Sequence, residues 1–370
     1  MDSIPFRRQP TWYGGRGLFA IQDIPQGTLL HTCPAPYASV IYRVFRKEVC
    51  GLCFAYAFDA RRNAWNIKLE AGSGVWFCSE TCRDDWIRDE NVGQLVEAMN
   101  GAIDRLAKSM EKRAAGKVVL PVSLVKPMTQ EDIDLAWAAA EDASLRTDTQ
   151  PGWDPVLDEM ELDTVRFVMS AIVRRYIQDS AQIAPLFNSW ADLLELQNNE
   201  LQFYRGRPSA LASHLSIYTF VRRVVLSIPA LAPYLATSEM VRAILARDPG
   251  NVFGMYEMNE EGDSEMLGWC MYVSASYFNH RKCYSFFFFY LHLSRAIDCA
   301  PNIRKERSGR KLLFYTTRDV ALGEELCINY IDLKDNVTER RNQLAANWYF
   351  DCVCDRCKKE LETKEKETIS

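Results

Sequence analysis

The sequence predicts an α+β protein. Two β-rich stretches, residues 1–45 and 251–335, enclose a helical stretch at 93–250, and a cysteine-bearing segment at 46–92 precedes the helices. Three observations carry this. Strand and turn patterns recur near both ends, apolar residues fall at helical spacing in the middle, and seven of the twelve cysteines gather in two tight groups. The 370 residues are 48% hydrophobic and 25% charged, with 18 Gly and 15 Pro. That is an ordinary composition for a folded protein and excludes a disordered, collagenous or low-complexity chain. A chain of this length usually divides into two or three domains. The net charge of −5 gives no support for a broad basic face or for direct nucleic-acid binding. The opening residues do not read as a signal peptide, and the longest apolar run, Phe286 to Leu291, falls far short of the ~20 residues that span a bilayer. A soluble, monomeric protein of the cytoplasm or nucleus is expected.

Taken in order, Gly14 to Gly17 lead into a strand at Leu18–Ile21, Ile24 to Gly27 form a turn, and Thr28–Leu30 start another strand. Leu95, Val96, Met99, Ile103, Leu106 and Met110 share a helix face. Thr129 to Asp132 read as an N-cap before a helix from Ile133 to Leu145. Residues 148–158, with Pro151, Gly152 and Pro155, read as a loop, and 165–177 and 215–226 as amphipathic helices. Short strands return at 271–273, 311–316 and 325–330, and the charged tail from Lys358 is expected to fray. No internal repeat is visible.

The cysteines point to metal. A reduced intracellular chain has no use for clustered thiols as disulfides. Cys50 and Cys53 with Cys78 and Cys82 make two knuckles, the four thiolates a tetrahedral structural zinc site requires. The aromatic segment between them (Tyr56, Phe58, Trp65, Trp76, Phe77) builds little core alone, so metal binding would supply its folding energy. Cys352, Cys354 and Cys357 are one ligand short, and no histidine lies nearby, so the fourth must come from elsewhere in the fold.

Four further segments occur in order: Gly15-Arg16-Gly17-Leu18-Phe19-Ala20, Asn279-His280, Cys299-Ala300-Pro301-Asn302, and Gly323 through Glu325 to Asn329-Tyr330. With them the chain, over roughly residues 10–358, resembles the SET-domain protein lysine methyltransferases, and with the early cysteine pairs the SET-and-MYND class. The resemblance implies a β-rich SET fold with a pseudoknot. Its domains would be an N-terminal SET half at 1–45, a MYND-like zinc insert at 46–92, a helical insert at 93–250, the C-terminal SET half at 251–340, a post-SET zinc motif at 341–358 and a charged tail at 359–370. It implies Cys299 as the fourth ligand beside Cys352, Cys354 and Cys357, hence two zinc ions. It implies S-adenosylmethionine as cofactor, a lysine-bearing protein such as a histone tail as substrate, and Tyr330 as the catalytic phenol. Gly15, Arg16, Gly17, Asn251, Asn279, His280 and Phe350 would bind the cofactor. Plainer roles are a turn for Gly15–Gly17, a helix-end cap for Asn251, and core packing for Phe350 and Tyr330.

The chain departs from the family pattern in four places. Only the outer four ligands of a MYND module are present, so one zinc is expected there. The helical repeat domain that follows the SET core in many relatives is expected to be absent. Trp348 stands where relatives often carry a substrate-channel tyrosine. Finally, one residue should separate His280 from Cys299, whereas Arg281 to Asp298 intervene, with four consecutive phenylalanines that would be an aggregation hazard if exposed. Codons for Arg281-Lys282-Cys283 can hold a splice donor, and removing 17 codons would restore the one-residue spacing, which suggests a translated intron; a true loop insertion is the other reading. The leading function is protein-lysine N-methyltransferase, and the rival is a catalytically impaired SET scaffold acting as a zinc-stabilised interaction module.

Overall fold

The computed structural model describes residues 4–11, 15–69, 74–113, 127–147, 156–182, 187–258, 264–280, 301–352 and 354–369. Arg281 to Cys299, and the 148–155 part of the expected loop, lie outside them. The chain forms two units, one from Met1–Ala35 and Ser274–Ser370, the other from Pro36–Val273.

The first unit opens with β1 (Phe6–Pro10) antiparallel to β2 (Arg16–Ala20). Leu18 and Ala20 alternate inward, as a half-buried strand requires. A turn through Gly27, at a left-handed φ of 79°, leads to β3 (Leu29–Cys33).

The second unit follows. After β4 (Ala38–Ile41) come the short pair β5 (Ile67–Lys68) and β6 (Trp76–Phe77), then α1 (Glu80–Asp89). Ser79 caps α1 by accepting from the Cys82 amide, which fixes Cys82 on the first turn. The helices are α2 (Leu95–Arg113), α3 (Gln130–Thr147), α4 (Glu159–Ala181), α5 (Trp190–Leu194), α6 (Glu200–Gly206), α7 (Ser209–Leu226) and α8 (Glu239–Asn251). The expected helices at 133–145, 165–177 and 215–226 are all longer; polar first turns extend α3 and α4, and Ser209 to His214 extend α7. An Asp158–Glu161 capping box starts α4 six residues before Val165. Helix α4 is buried almost all round between β4 and the neighbouring α2, α7 and α8. Strands β7 (Phe253–Met258) and β8 (Ser264–Met271) complete a sheet in the order β4-β8-β7. The strand expected at 271–273 therefore ends at Met271, where pairing with Ala38 of β4 ends.

The chain returns to the first unit with β9 (Asn279–His280), β10 (Ile303–Ser308), β11 (Lys311–Thr316) and β12 (Glu325–Ile328). These make the sheets β1-β2-β12-β9 and β10-β11-β3. Helix α9 (Val337–Trp348) and helix α10 (Asp355–Ile369) follow. The tail expected to fray is thus helical. Its Glu360 pairs with Arg340 and Arg356, and Leu361 packs on a core of Ile331, Val337, Leu344, Cys352, Cys354 and Cys357.

Candidate functional site

Tyr330 leaves β12 two residues beyond a short parallel pairing in which Cys327 faces Asn279 and Ile328 faces His280. That register places it beside residues 278–280 and holds it at both ends. Its amide donates to His280 Nδ1 at 3.3 Å, and its hydroxyl donates to the Phe278 carbonyl at 3.1 Å. The ring lies 5.2 Å from Trp348 and 5.5 Å from His280, which in turn lies 6.0 Å from Phe350. Tyr330, Trp348 and Phe350 are half-buried and rest on the cysteine-bearing core. Tyr349 between them ends α9 at a left-handed φ of 59°, so the chain reverses and both flanking rings reach the same core. Burial, with the nearby Cys327 adding to it, pushes the Tyr330 phenol above its ordinary value.

The Phe278 carbonyl is itself held from behind. The Phe278 ring stacks on Phe314 with centroids 4.3 Å apart and planes 4° apart, against His31 and Phe6. His31 Nε2 lies 2.9 Å, and Cys33 Sγ 3.1 Å, from the Ser274 hydroxyl. Burial lowers His31 to about 4 and raises Cys33 to about 12, so both are neutral at pH 7.

Asn279 links the other predicted residues. Its Nδ2 donates to the Arg16 carbonyl at 3.0 Å and to Glu325 Oε1 at 2.9 Å. These side chains cross directly over Gly17, where a Cβ would come within 2.5 Å of Glu325 Oε1 and 2.8 Å of Asn279 Nδ2. Gly15 is different: it is exposed, at φ 74°, and a Cβ there would meet nothing within 4 Å. Arg16 is exposed at the start of β2. Gly15, Arg16, Gly17, Asn279, His280, Tyr330, Trp348 and Phe350 therefore fall in one unit. Asn251 falls in the other, where its Nδ2 donates to the carbonyls of Gln197 and Arg247 at the end of α8.

Asn302 carried no candidate role, although the Pro301-Asn302 segment marked it. It is fully buried, donates to the Glu325 carbonyl at 2.8 Å, and accepts from the Cys327 amide at 2.8 Å. Asn279 and Asn302 thus flank the 281–298 insertion and both grip Glu325–Cys327.

Two cysteine clusters form. The sulfurs of Cys50, Cys53, Cys78 and Cys82 lie within 4.8 Å of one another, with Cys53–Cys78 and Cys78–Cys82 at 3.5 Å. Those of Cys352, Cys354 and Cys357 also lie within 4.8 Å of one another. A zinc tetrahedron with bonds of ~2.3 Å has edges of about 3.8 Å, so both clusters are compatible with zinc. The hydrogen bond between Cys50 and Cys53 favours the thiolate at Cys50 and the thiol at Cys53, and desolvation raises Cys78. Cys299 lies outside the described residues.

A SET domain profile matches residues 15–331. The "Potential protein lysine methyltransferase SET6" of Saccharomyces cerevisiae is 30% identical over 97% of this chain and 96% of its own length. A "Histone-lysine N-methyltransferase ASHR2" of Arabidopsis thaliana is 26% identical over 47% of this chain and 42% of its own. A "SET and MYND domain-containing protein" of Dictyostelium discoideum is 29% identical over 32% of this chain and 26% of its own.

Proposed function

Because the chain belongs to the SET-domain family, we propose that it is an S-adenosylmethionine-dependent protein-lysine N-methyltransferase. The observation that carries this reading is the Tyr330 hydroxyl held on the Phe278 carbonyl within a half-buried aromatic group. The residues fit such a cofactor. Backbone at Gly15 is open and exposed, Asn279 anchors the neighbouring Arg16 carbonyl, and the half-buried Phe350 ring lies 6.0 Å from His280. Bound there, the cofactor supplies a methyl group on a sulfonium sulfur.

The protein's own contribution is binding, desolvation and orientation. A lysine amine, ordinarily protonated below ~10.4, must present a lone pair. The apolar faces of Tyr330 and Trp348 favour its neutral form by excluding water. Tyr330 stays protonated, since burial raises its phenol further, so it is not the base. Its proton is committed to Phe278, which leaves the hydroxyl lone pairs and neighbouring carbonyls to accept from the amine and fix its direction.

We read the Cys50–Cys82 cluster as a reduced, one-zinc MYND-like insert. The C-terminal cluster, completed by Cys299, is read as a post-SET zinc, and residues 281–298 as a retained intron. Work in the cytoplasm or nucleus on histone or other protein lysines agrees with this reading. The deciding test is radiolabelled methyl transfer to a protein extract, by the full chain and by a chain lacking 281–297. Label incorporation supports the enzyme. Cofactor binding without incorporation by either chain overturns it in favour of the impaired scaffold.

A further inference from the structure

The fully buried Arg340 stands against the C-terminal cysteine cluster. It lies on the first turn of α9, and its Nη2 is 3.7 Å from Cys357 Sγ and 2.7 Å from Glu360 Oε2. Its Nη1 donates to the Asp335 carbonyl. Through Cys357 it meets the core of Ile331, Val337, Leu344 and the three buried cysteines. A guanidinium in such surroundings needs compensating negative charge, because unpaired burial costs several kcal/mol. Glu360 supplies one charge but is shared with Arg356, whose Nε lies 2.5 Å from its other oxygen. Thiols supply none. A thiolate-bound zinc does: the three thiolates of Cys352, Cys354 and Cys357 around Zn²⁺ already leave one formal negative charge, concentrated on the sulfurs. The Cys357 amide also donates to Cys354 Sγ at 3.4 Å, a second donor directed at cluster sulfur.

We propose that Arg340 is a positioning residue of the C-terminal metal centre, hydrogen-bonding the metal-bearing sulfur of Cys357 and tying α9, with Trp348 at its far end, to that centre. This rests on reading Cys352, Cys354 and Cys357 as metal ligands. Donors to ligand atoms typically change metal retention by about 10–100-fold. They also stabilise sulfur lone pairs, so their loss lowers the energy of sulfur-to-metal charge transfer.

The test uses the full chain loaded with zinc or with cobalt(II), as wild type, Arg340→Met and Arg340→Lys, with Cys354→Ala marking the C-terminal cluster's share of each signal. Arg340→Met should release that share of zinc to a colorimetric chelator at least about tenfold faster and shift its cobalt charge-transfer band to lower energy. Arg340→Lys, which keeps the charge but not the fork, should fold and fall between. The signal from Cys50, Cys53, Cys78 and Cys82 should not move. A wild-type C-terminal cluster that takes up metal, with Arg340→Lys and Arg340→Met releasing it at the wild-type rate and with an unshifted band, overturns the role of Arg340 alone. A Cys354→Ala signal identical to wild type shows that the cluster holds no metal and overturns the metal reading, and the proposal with it.

Discussion

At the scale of the residue, Tyr330 carries the largest consequence. Tyr330→Phe removes one oxygen and leaves the ring against Trp348 and His280. On the proposed mechanism the lost hydroxyl would orient the amine in the transition state, so kcat should fall on the order of 100-fold while cofactor binding, read by titration calorimetry, stays within about twofold. Unchanged turnover would remove Tyr330 from the mechanism. His31 gives a second expectation. Burial holds its pKa at about 4 rather than 6.5, so between those values the unfolded chain binds more protons than the folded one. Its contribution is complete above pH 6.5 and is lost as pH falls through 4. With allowance for partial exposure, it is worth on the order of 2 kcal/mol. His31→Phe will lower baseline stability, but its urea midpoint should drop less between pH 6.5 and 4 than that of wild type; equal drops would count against a neutral His31. Tyr330, Asn279 and His280 were legible from motif order. Asn302, Phe278 and Ser274 were not, because each acts through partners such as Cys327, Tyr330 and His31 that are distant in sequence.

At the scale of the element, the periodic helices were legible and their ends were not. Apolar spacing finds the face of α4 but not its polar first turn, which depends on Asp158 and Glu161. The tail shows the same limit in reverse: Lys358 to Ser370 carries little apolar pattern, and helix α10 holds because Glu360 and Leu361 find partners on another segment. The 281–298 insertion belongs at this scale too. Its two flanks are fastened to β12 through Asn279 and Asn302, so the fold does not require the intervening chain to set their positions. Closing a loop of that length costs only a few kcal/mol. Deleting 281–297 should therefore leave the melting temperature equal or higher, raise the soluble yield, and raise methyl transfer. A deleted chain that melts lower than the full chain would make the insertion a structural element.

At the scale of the whole molecule, the SET match spans residues 15–331 and so includes parts of both units, while the two cysteine clusters divide between them. Each cluster sits in a local core that apolar burial alone makes small. One is Cys50, Ala57, Trp65, Leu69, Phe77 and Trp86; the other is Ile331, Val337 and Leu344 with three cysteines. On the proposed reading, a metal at each cluster would add folding energy to these cores. Elemental analysis of folded protein should therefore give two zinc ions per chain, and Cys53→Ser and Cys354→Ser should each give one. The functional consequences should differ, because Tyr330, Trp348 and Phe350 pack on the second core and not on the first. Cys354→Ser should lose methyl transfer together with its zinc, through displacement of the aromatic wall. Cys53→Ser should loosen residues 50–82 against proteolysis and keep measurable cofactor binding. Variants that each lose both metals would show that the two sites are not independent, and a Cys354→Ser chain with wild-type transfer would show that the second cluster does not support the aromatic wall.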